Sequence, residues 1–532
     1  NELGSADVSI VLQISAHWQA IVTGALSELQ TQAKIMCLLV TRHTLQSDVI
    51  SLVFSVRNSG RGAAINLRIN LLAGPEYTLL NDAADLPQLP PGAEEQVTLR
   101  IRPQKDQDLT EFRVRFVVHY EDPLGPNQSE HFADIVQLVS EPASFEFISN
   151  PYVAGTPLMA GSALFFGRED LVAAIQENLA AAHRNNLVII GQRRMGKTSL
   201  LKQLNLRLGS DYLLVYLDGQ VIGLDPGLPN FFLNLATEIT FALEDQGISI
   251  PPPALEHFES SPAGYFEHDF LANVIRVLEN RQLIILFDEF EELEQAVVRG
   301  HLDAAIFGYL RHLMQHIPGL SFIFCGTHRL EELTIDYWNV LFNISLYHRI
   351  SYLAYEDAMR LVQEPVDAFG MKYDDLALDK MWRITAGHPY FLQLLCHSLV
   401  NWHNKTQHNY VTIADVNSAL DEILTAGEAH FIYLWTESTP EERLALVAMS
   451  RMAPLTGSVQ SIQLVDFLAE RGIQADRKAI REALYHLVLR DILSMEEIVS
   501  GGENVFLWRL GLVGLWVEKF KSLARVLDEA AA

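Results

Sequence analysis

The sequence predicts a multidomain chain: a β-sandwich, an α/β core on a parallel sheet, a helical lid, and a small domain of helices with a hairpin. Three observations carry this. Residues up to about 140 hold runs in which apolar and polar side chains alternate, the period of strands with one buried face. The apolar run Leu187-Val188-Ile189-Ile190 leads into Gly191-Gln192-Arg193-Arg194-Met195-Gly196-Lys197-Thr198, and a helical pattern follows. Near the end, three helical stretches precede two β-type runs joined by Gly501-Gly502.

Bulk properties bound the answer. A chain of 532 residues exceeds one core, and length alone predicts roughly three or four domains. Apolar residues make up 49% and charged residues 20%, as in globular proteins that live in water. No run approaches the ~18 to 20 apolar residues that span a bilayer, so no membrane partner is expected. No basic segment precedes an apolar one at the start, so no signal peptide is expected, and Asn1 in place of Met leaves room for an upstream segment. Cys37, Cys325 and Cys396 are too sparse for a disulfide framework and fit a reducing cytoplasm. The net charge of −27 disfavours nucleic acid as a partner of the molecule as a whole, leaving a local basic face open.

Residues 1–140 read as the sandwich. Ile50, Leu52, Phe54 and Val56 alternate with polar residues, as do Ile65 to Leu71, Val97 to Ile101 and Phe112 to Val118. Turn residues such as Asn58-Ser59-Gly60 and Pro90-Pro91-Gly92 separate the runs. The pattern resembles the immunoglobulin-like modules of bacterial adhesion proteins. No catalytic constellation lies here. Residues 141–164, with Pro142, Pro151, Gly155, Pro157 and Gly161, read as a linker onto the core.

The α/β core is expected over 165–345. The segment Gly191 to Thr198 matches the phosphate-loop pattern G-x-x-x-x-G-K-[ST] at every fixed position. Its glycines let consecutive backbone N–H groups curl around a phosphate, and the following helix adds a partial positive charge. Candidate nucleotide ligands are Gly191, Arg194, Met195, Gly196, Lys197, Thr198 and Ser199. Lys197 brings charge to the outer phosphates, and the Thr198 hydroxyl suits Mg²⁺.

Leu283 to Glu289 is the second strong motif, an apolar strand that ends in two carboxylates. A parallel strand delivers its C-terminal end to the ligand crevice. Asp288 there suits Mg²⁺, and Glu289 can orient the attacking water. Glu291, Glu292 and Glu294 read as the start of a surface helix. Thr327 and Arg329, past the strand Ser321 to Gly326, suit either sensing of a γ-phosphate or, at Thr327, a plain helix cap. Arg311 suits reaching a neighbouring subunit or an ordinary surface position.

Residues 346–428 read as a helical lid, interrupted by the rigid turn Gly387-His388-Pro389-Tyr390. Residues 429–532 have the order of a winged helix. Its third helix carries Arg477, Lys478, Arg481 and Arg490, which can meet phosphates, but Glu496, Glu497 and Glu503 make the wing acidic and favour packing on protein.

Together these motifs resemble the STAND-class signalling ATPases, over about residues 150–520. The matching stretches are Phe166-Gly167-Arg168-Glu169, Gly191 to Thr198, Leu283 to Glu289, Thr327-His328-Arg329 and Gly387 to Tyr390, then the winged helix. The resemblance implies that a strand lies between the phosphate-loop strand and the Asp288 strand. It implies Gly167 and Arg168 on the adenine side and Pro389 over the base or ribose. It further implies that ADP closes the protein and that ATP, with Mg²⁺, opens it for self-association. The sequence lacks the His-Asp pair by which the winged helix of known members senses ADP; His486 is the nearest histidine. The resemblance also implies a protein trigger or effector as a partner.

Two readings compete with the switch. One is a DNA-associated ATPase with the winged helix on DNA, which the acidic balance opposes. The other is a non-hydrolysing scaffold, which the intact Lys197, Thr198, Asp288 and Glu289 oppose.

Overall fold

The structure is a computed structural model that describes Trp18 and residues 32–104, 110–122, 125–139, 145–181, 186–222, 226–327, 341, 345–426, 428–453, 457–496 and 504–531. The N-terminal strands are β1 (Ile35–Leu39), β2 (His43–Leu45), β3 (Ile50–Asn58), β4 (Ala64–Leu71), β5 (Tyr77–Leu79), β6 (Ala83–Leu89), β7 (Glu94–Pro103), β8 (Glu111–Asp122) and β9 (Gly125–Val139). They form two sheets, β1-β3-β7-β5 and β2-β9-β8-β4-β6, with only β2 and β9 pairing in parallel. The alternation acts as its period demands. In β8, Phe112, Val114, Phe116 and Val118 are buried, and Arg113, Arg115 and His119 are exposed. The inner faces share one core, with the rings of Phe54 and Phe116 4.6 Å apart edge to face.

The core region holds α1 (Glu169–Ala180), β10 (Asn186–Ile190), α2 (Lys197–Arg207), β11 (Tyr212–Asp218), α3 (Leu228–Asp245), β12 (Gln282–Asp288), α4 (Glu291–Val298), α5 (Ala305–His316), β13 (Leu320–Gly326) and β14 (Ser345–Arg349). The five strands are parallel in the order β11-β12-β13-β10-β14, so β13 lies between the strand of the glycine loop and the strand of Asp288. Both faces are covered, which is why these strands are apolar throughout. Leu187, Ile189, Ile284, Leu286 and Ile323 cluster with Val172 of α1 and Leu200 of α2. Val188, Ile190, Leu283, Ile285 and Phe322 cluster with Leu235 of α3 and Leu310 of α5. Because every strand runs the same way, Gly191, Asp288 and Thr327 emerge at one edge.

Beyond the sheet come α6 (Tyr355–Asp367), β15 (Lys372–Tyr373), α7 (Asp375–Thr385), α8 (Pro389–Thr406), β16 (Tyr410–Val411), α9 (Ile413–Ala426), α10 (Glu428–Thr436), α11 (Pro440–Met452), β17 (Ser458–Gln460), α12 (Ser461–Ala469), α13 (Arg477–Leu489), β18 (Leu493–Glu496), β19 (Val505–Trp508) and α14 (Gly511–Phe520). The last three strands form a sheet in the order β17-β19-β18. Of the acidic wing residues expected, Glu496 ends β18, and Glu497 and Glu503 lie outside the described residues. One apolar core runs from α6 through α14. Trp516, almost fully buried, stacks on Phe431 at 5.4 Å and meets Trp435 edge-on at 5.9 Å.

Residues 145–164, expected as a linker, are a packed strap. Ile148, Tyr152 and Leu158 are buried in the core of the helical part. The Tyr152 hydroxyl donates to Val362 O at 2.7 Å, and Ile148 N donates to Asn404 Oδ1 at 2.9 Å. Leu158 N donates to Ser199 Oγ at 3.0 Å, and Gly161 N donates to Gln203 Oε1 at 2.9 Å. Proline and glycine keep the strap out of helix and sheet, and side chains of α8 and α2 satisfy its backbone instead.

The N-terminal sheets dock on α7. Arg42 N donates to Asp375 Oδ2 at 2.7 Å, Gln96 Nε2 donates to Asp379 Oδ2 at 3.0 Å, and Arg383 pairs with Glu94 at 3.1 Å. The contacts are mostly solvent-facing, so each is worth roughly 0 to 1 kcal/mol. Replacing Asp375 and Asp379 together by Ala is expected to free the two sheets while leaving both parts folded. Small-angle scattering should then give a larger radius of gyration; an unchanged profile would mean that other contacts hold the dock.

Candidate functional site

The glycine loop is shaped by its neighbours. A Cβ on Gly191 would lie 2.2 Å from the Ile350 side chain and 2.6 Å from its carbonyl oxygen, so only glycine fits beside β14. Gly196 caps α2 with φ +91°. Lys197, the first residue of the helix, is buried, and its ammonium donates to Gly191 O at 2.7 Å and Gln192 O at 2.9 Å. Burial pushes its pKa down, and nearby carboxylates oppose that shift. These two bonds hold the lysine folded back on its own loop.

Thr198 and Asp288 meet across the crevice. The Thr198 hydroxyl donates to Asp288 Oδ2 at 2.6 Å, and the Tyr216 hydroxyl donates to the same oxygen at 2.9 Å. Asp288 is almost fully buried at the end of β12. Glu289 follows with φ +47°, half-buried, and its carboxylate accepts from the Gln220 amide. Burial raises its pKa, and Asp288 beside it adds to the rise.

Eleven of the expected residues line one cavity of about 690 Å³: Arg168, Arg194, Met195, Gly196, Lys197, Thr198, Ser199, Asp288, Glu289, Thr327 and Pro389. The volume suits a nucleotide-sized ligand. Gly191 lies beneath the loop, and Gly167, with φ +68°, borders a smaller cavity of about 320 Å³. Arg329 and His328 lie outside the described residues.

Two of these side chains also make contacts outside the loop. The Ser199 hydroxyl accepts from Leu158 N of the strap at 3.0 Å. The Arg194 guanidinium lies over the ring of Tyr390 at 4.2 Å and near that of Tyr433 at 5.2 Å, so this side chain reaches α8 and α10. Arg168 ties three segments together, its Nη2 donating to Ser351 O at 2.6 Å and to Met195 O at 3.4 Å. Burial lowers the Arg168 pKa to about 10, which leaves it charged at neutral pH. His388 is buried between Tyr352 and Phe391, and burial drives its pKa down to about 3, so it is neutral. Arg311, half-exposed on α5, makes contacts within the chain.

Sequence reasoning missed the strap residues Val153 to Leu158 as a wall of the cavity, and it missed Glu291. A hint at Glu291 was available, since it stands three residues after Asp288 and follows the apolar Phe290. Also unforeseen was the seam to the C-terminal region. Asp491, buried with φ +55°, pairs with Arg349 at 3.1 Å and with Arg509, and its carbonyl accepts the Tyr352 hydroxyl at 2.8 Å. Arg509 Nη2 also donates to Ser351 Oγ at 3.3 Å. The segment 349–352 thus joins Arg168 at the cavity to the turn after α13. Arg490, a candidate for phosphate contact, instead pairs with Glu442 at 2.6 Å and donates to Leu434 O at 3.1 Å.

Comparison with known proteins places the core. Residues 180–334 match a family described as an AAA domain, and residues 4–138 match one described as a domain of unknown function. No curated protein matches. Among solved structures, the Walker-type ATPase of Pyrococcus abyssi is 14% identical, over 68% of this chain and 98% of that one, with a TM-score of 0.50. Cdc6p of Pyrobaculum aerophilum is 14% identical over 69% and 95%, with a TM-score of 0.34. The ORC1 protein of Aeropyrum pernix, in complex with DNA, is 15% identical over 68% and 94%, with a TM-score of 0.35. At such identities the likeness is one of fold. The chain carries an AAA-type P-loop ATPase domain with a parallel α/β sheet. Among the described residues, no helix is long and apolar enough to cross a membrane.

Proposed function

We propose that the chain is a nucleotide-dependent switch of the STAND class, which binds ATP, hydrolyses it slowly and self-associates in the ATP state. The observation that carries the reading is one cavity lined at once by the glycine loop, Asp288-Glu289, the lid turn at Pro389 and the strap. A ligand there touches every part that would have to move. In this reading residues 1–140 are an immunoglobulin-like sandwich, 346–428 a lid, and 429–532 a winged helix that packs on the core, all in the cytoplasm.

The roles follow the chemistry. Lys197 exchanges its loop carbonyls for outer phosphate oxygens. Arg168 and Gly167 border the adenine side, and Pro389 closes over the base or ribose. Thr327 senses the γ-phosphate, with Arg329 assigned beside it from sequence. Thr198 and Asp288 fit Mg²⁺, because their oxygens already lie 2.6 Å apart and face the cavity. Among the described residues no group of three or more His, Cys, Asp or Glu side chains can hold a metal. Mg²⁺ held by Thr198 and Asp288 would take waters and phosphate oxygens as most of its ligands and would neutralise charge on the outer phosphates. Glu289 orients water in line with the γ-phosphorus and takes its proton. The water oxygen bonds to that phosphorus as its bond to the bridging oxygen breaks; ADP keeps the electron pair, and inorganic phosphate is the second product.

The experiment is a ligand-induced stability shift. ADP at about a hundred times its dissociation constant should stabilise the native protein by ~2.7 kcal/mol. Lys197→Ala is expected to abolish the shift; a mutant that melts as the wild type does with ADP would sink the assignment.

A second reading is an AAA-type ATPase that acts on DNA, and the comparisons lie nearer to it, since one of the similar structures is a DNA complex. Exposed Arg477, Lys478 and Arg481 on α13 favour it; the pairing of Arg490 with Glu442 and the net charge of −27 oppose it. A salt-dependent mobility shift with duplex DNA would decide for it.

A further inference from the structure

Glu291 has a place in the cavity that the acidic run around it disguises. It opens α4, two residues after Glu289, among Glu292 and Glu294. Its Oε1 accepts the backbone N–H of Thr327 at 3.3 Å, tying the start of α4 to the end of β13. Its Oε2 is shut off from solvent and has no hydrogen-bond partner. The residue lines the same cavity as Lys197, Asp288 and Thr327. Of the acidic groups acting on the Lys197 ammonium, Glu291 acts most strongly, ahead of Asp288 and Glu289.

A surface helix start would leave both oxygens in water. A buried carboxylate with an idle oxygen is costly, and such a cost persists where geometry at a site is at stake. Glu289 is engaged elsewhere, by the Gln220 amide. The carboxylate that fixes the far wall of the phosphate end is therefore a different one.

We propose that Glu291 is a positioning residue for ATP hydrolysis, holding the backbone of Thr327 where the γ-phosphate arrives. The proposal rests on the ATPase reading of this cavity. Without the bond from Thr327 N, the end of β13 is free to drift, and small displacements near a reacting centre cost up to about 10²-fold in rate. The binding of ADP, which lacks the γ-phosphate, does not depend on that wall.

The test uses the full chain in three forms: wild type, Glu291→Ala and Glu291→Gln. Glu291→Ala should lower kcat between about 10- and 100-fold and raise KM for ATP about fivefold or more, since KM approaches the dissociation constant when turnover is slow. Glu291→Gln keeps an oxygen that accepts from Thr327 N and should recover most of kcat, a rescue that loss of negative charge alone would not permit. In parallel, the affinity of each form for ADP and for a non-hydrolysable ATP analogue is measured by calorimetry. Glu291→Ala should bind ADP as the wild type does and bind the analogue at least fivefold more weakly. An alanine variant with wild-type kcat and wild-type analogue affinity overturns the proposal, and so does a glutamine variant as impaired as the alanine one. A wild type that binds nucleotide without turnover would refute the hydrolysis reading, and the analogue-to-ADP ratio would then decide on Glu291 by itself.

Discussion

Glu289→Gln is expected to retain ATP and to hydrolyse it about 10² to 10⁴ times more slowly than the wild type, the usual worth of a positioned base. The substitution keeps the length of the side chain and its carbonyl oxygen, so the contact with the Gln220 amide survives. It removes the charge that takes a proton from water. Lys197, Thr198 and Asp288 are untouched, so nucleotide and Mg²⁺ should still bind. Trapped ATP then tests the switch. A ligand shifts a conformational balance only by its differential affinity for the two states. Mass photometry of Glu289→Gln should therefore give larger species with ATP and monomer with ADP or with no nucleotide. Monomer in all three conditions, at confirmed ATP occupancy, would contradict assembly driven by ATP alone.

Asp491→Asn is expected to loosen the seam between the sheet and the C-terminal region by about 2 to 3 kcal/mol. Breaking a fully buried ion pair costs about 3 to 5 kcal/mol, because a charge is left without its partner. Here the carboxylate is buried, but the Arg349 and Arg509 side chains remain 48% and 35% exposed, so water recovers part of that loss. Asparagine tolerates the positive φ of this position, which separates the effect of charge from that of backbone strain. The seam joins two of several folded parts, so a local measure reports it more directly than melting does. Hydrogen exchange at residues 349–353 is such a measure. Protection there should fall by about 30- to 150-fold, the same free energy expressed as an opening constant. Unchanged exchange would show that the apolar core across α6 to α14 holds the seam without the ion pairs. In the switch reading, the same substitution should also raise the fraction of open molecules in ADP.

The seam bears on the missing His-Asp pair of the C-terminal region. In the switch reading, Arg168, Ser351, Arg509 and Asp491 would connect the cavity to the turn after α13 in place of such a pair. The Arg194 guanidinium adds a second tie, from the glycine loop to Tyr390 and Tyr433.

What the sequence by itself determined is what short stretches of chain dictate. Apolar alternation specified which residues of β3, β7 and β8 face the N-terminal core, because side chains on a strand must alternate. Apolar strands ending in Gly191 and Asp288 specified a parallel sheet with its ligand edge, because a strand covered on both faces admits no polar side until it ends. The phosphate loop was legible for the same reason: its chemistry lies in consecutive backbone amides. Only the tertiary structure decided the rest. Ser199 meets Leu158 at a separation of 41 residues, Arg349 meets Asp491 at 142, and Arg42 meets Asp375 at 333. Glu291 reads as one more acid on a helix until Thr327, 36 residues on, is brought against it. The partner that turns a solvated charge into a buried one is supplied by packing, and packing between distant segments leaves no period or spacing in the chain to be read.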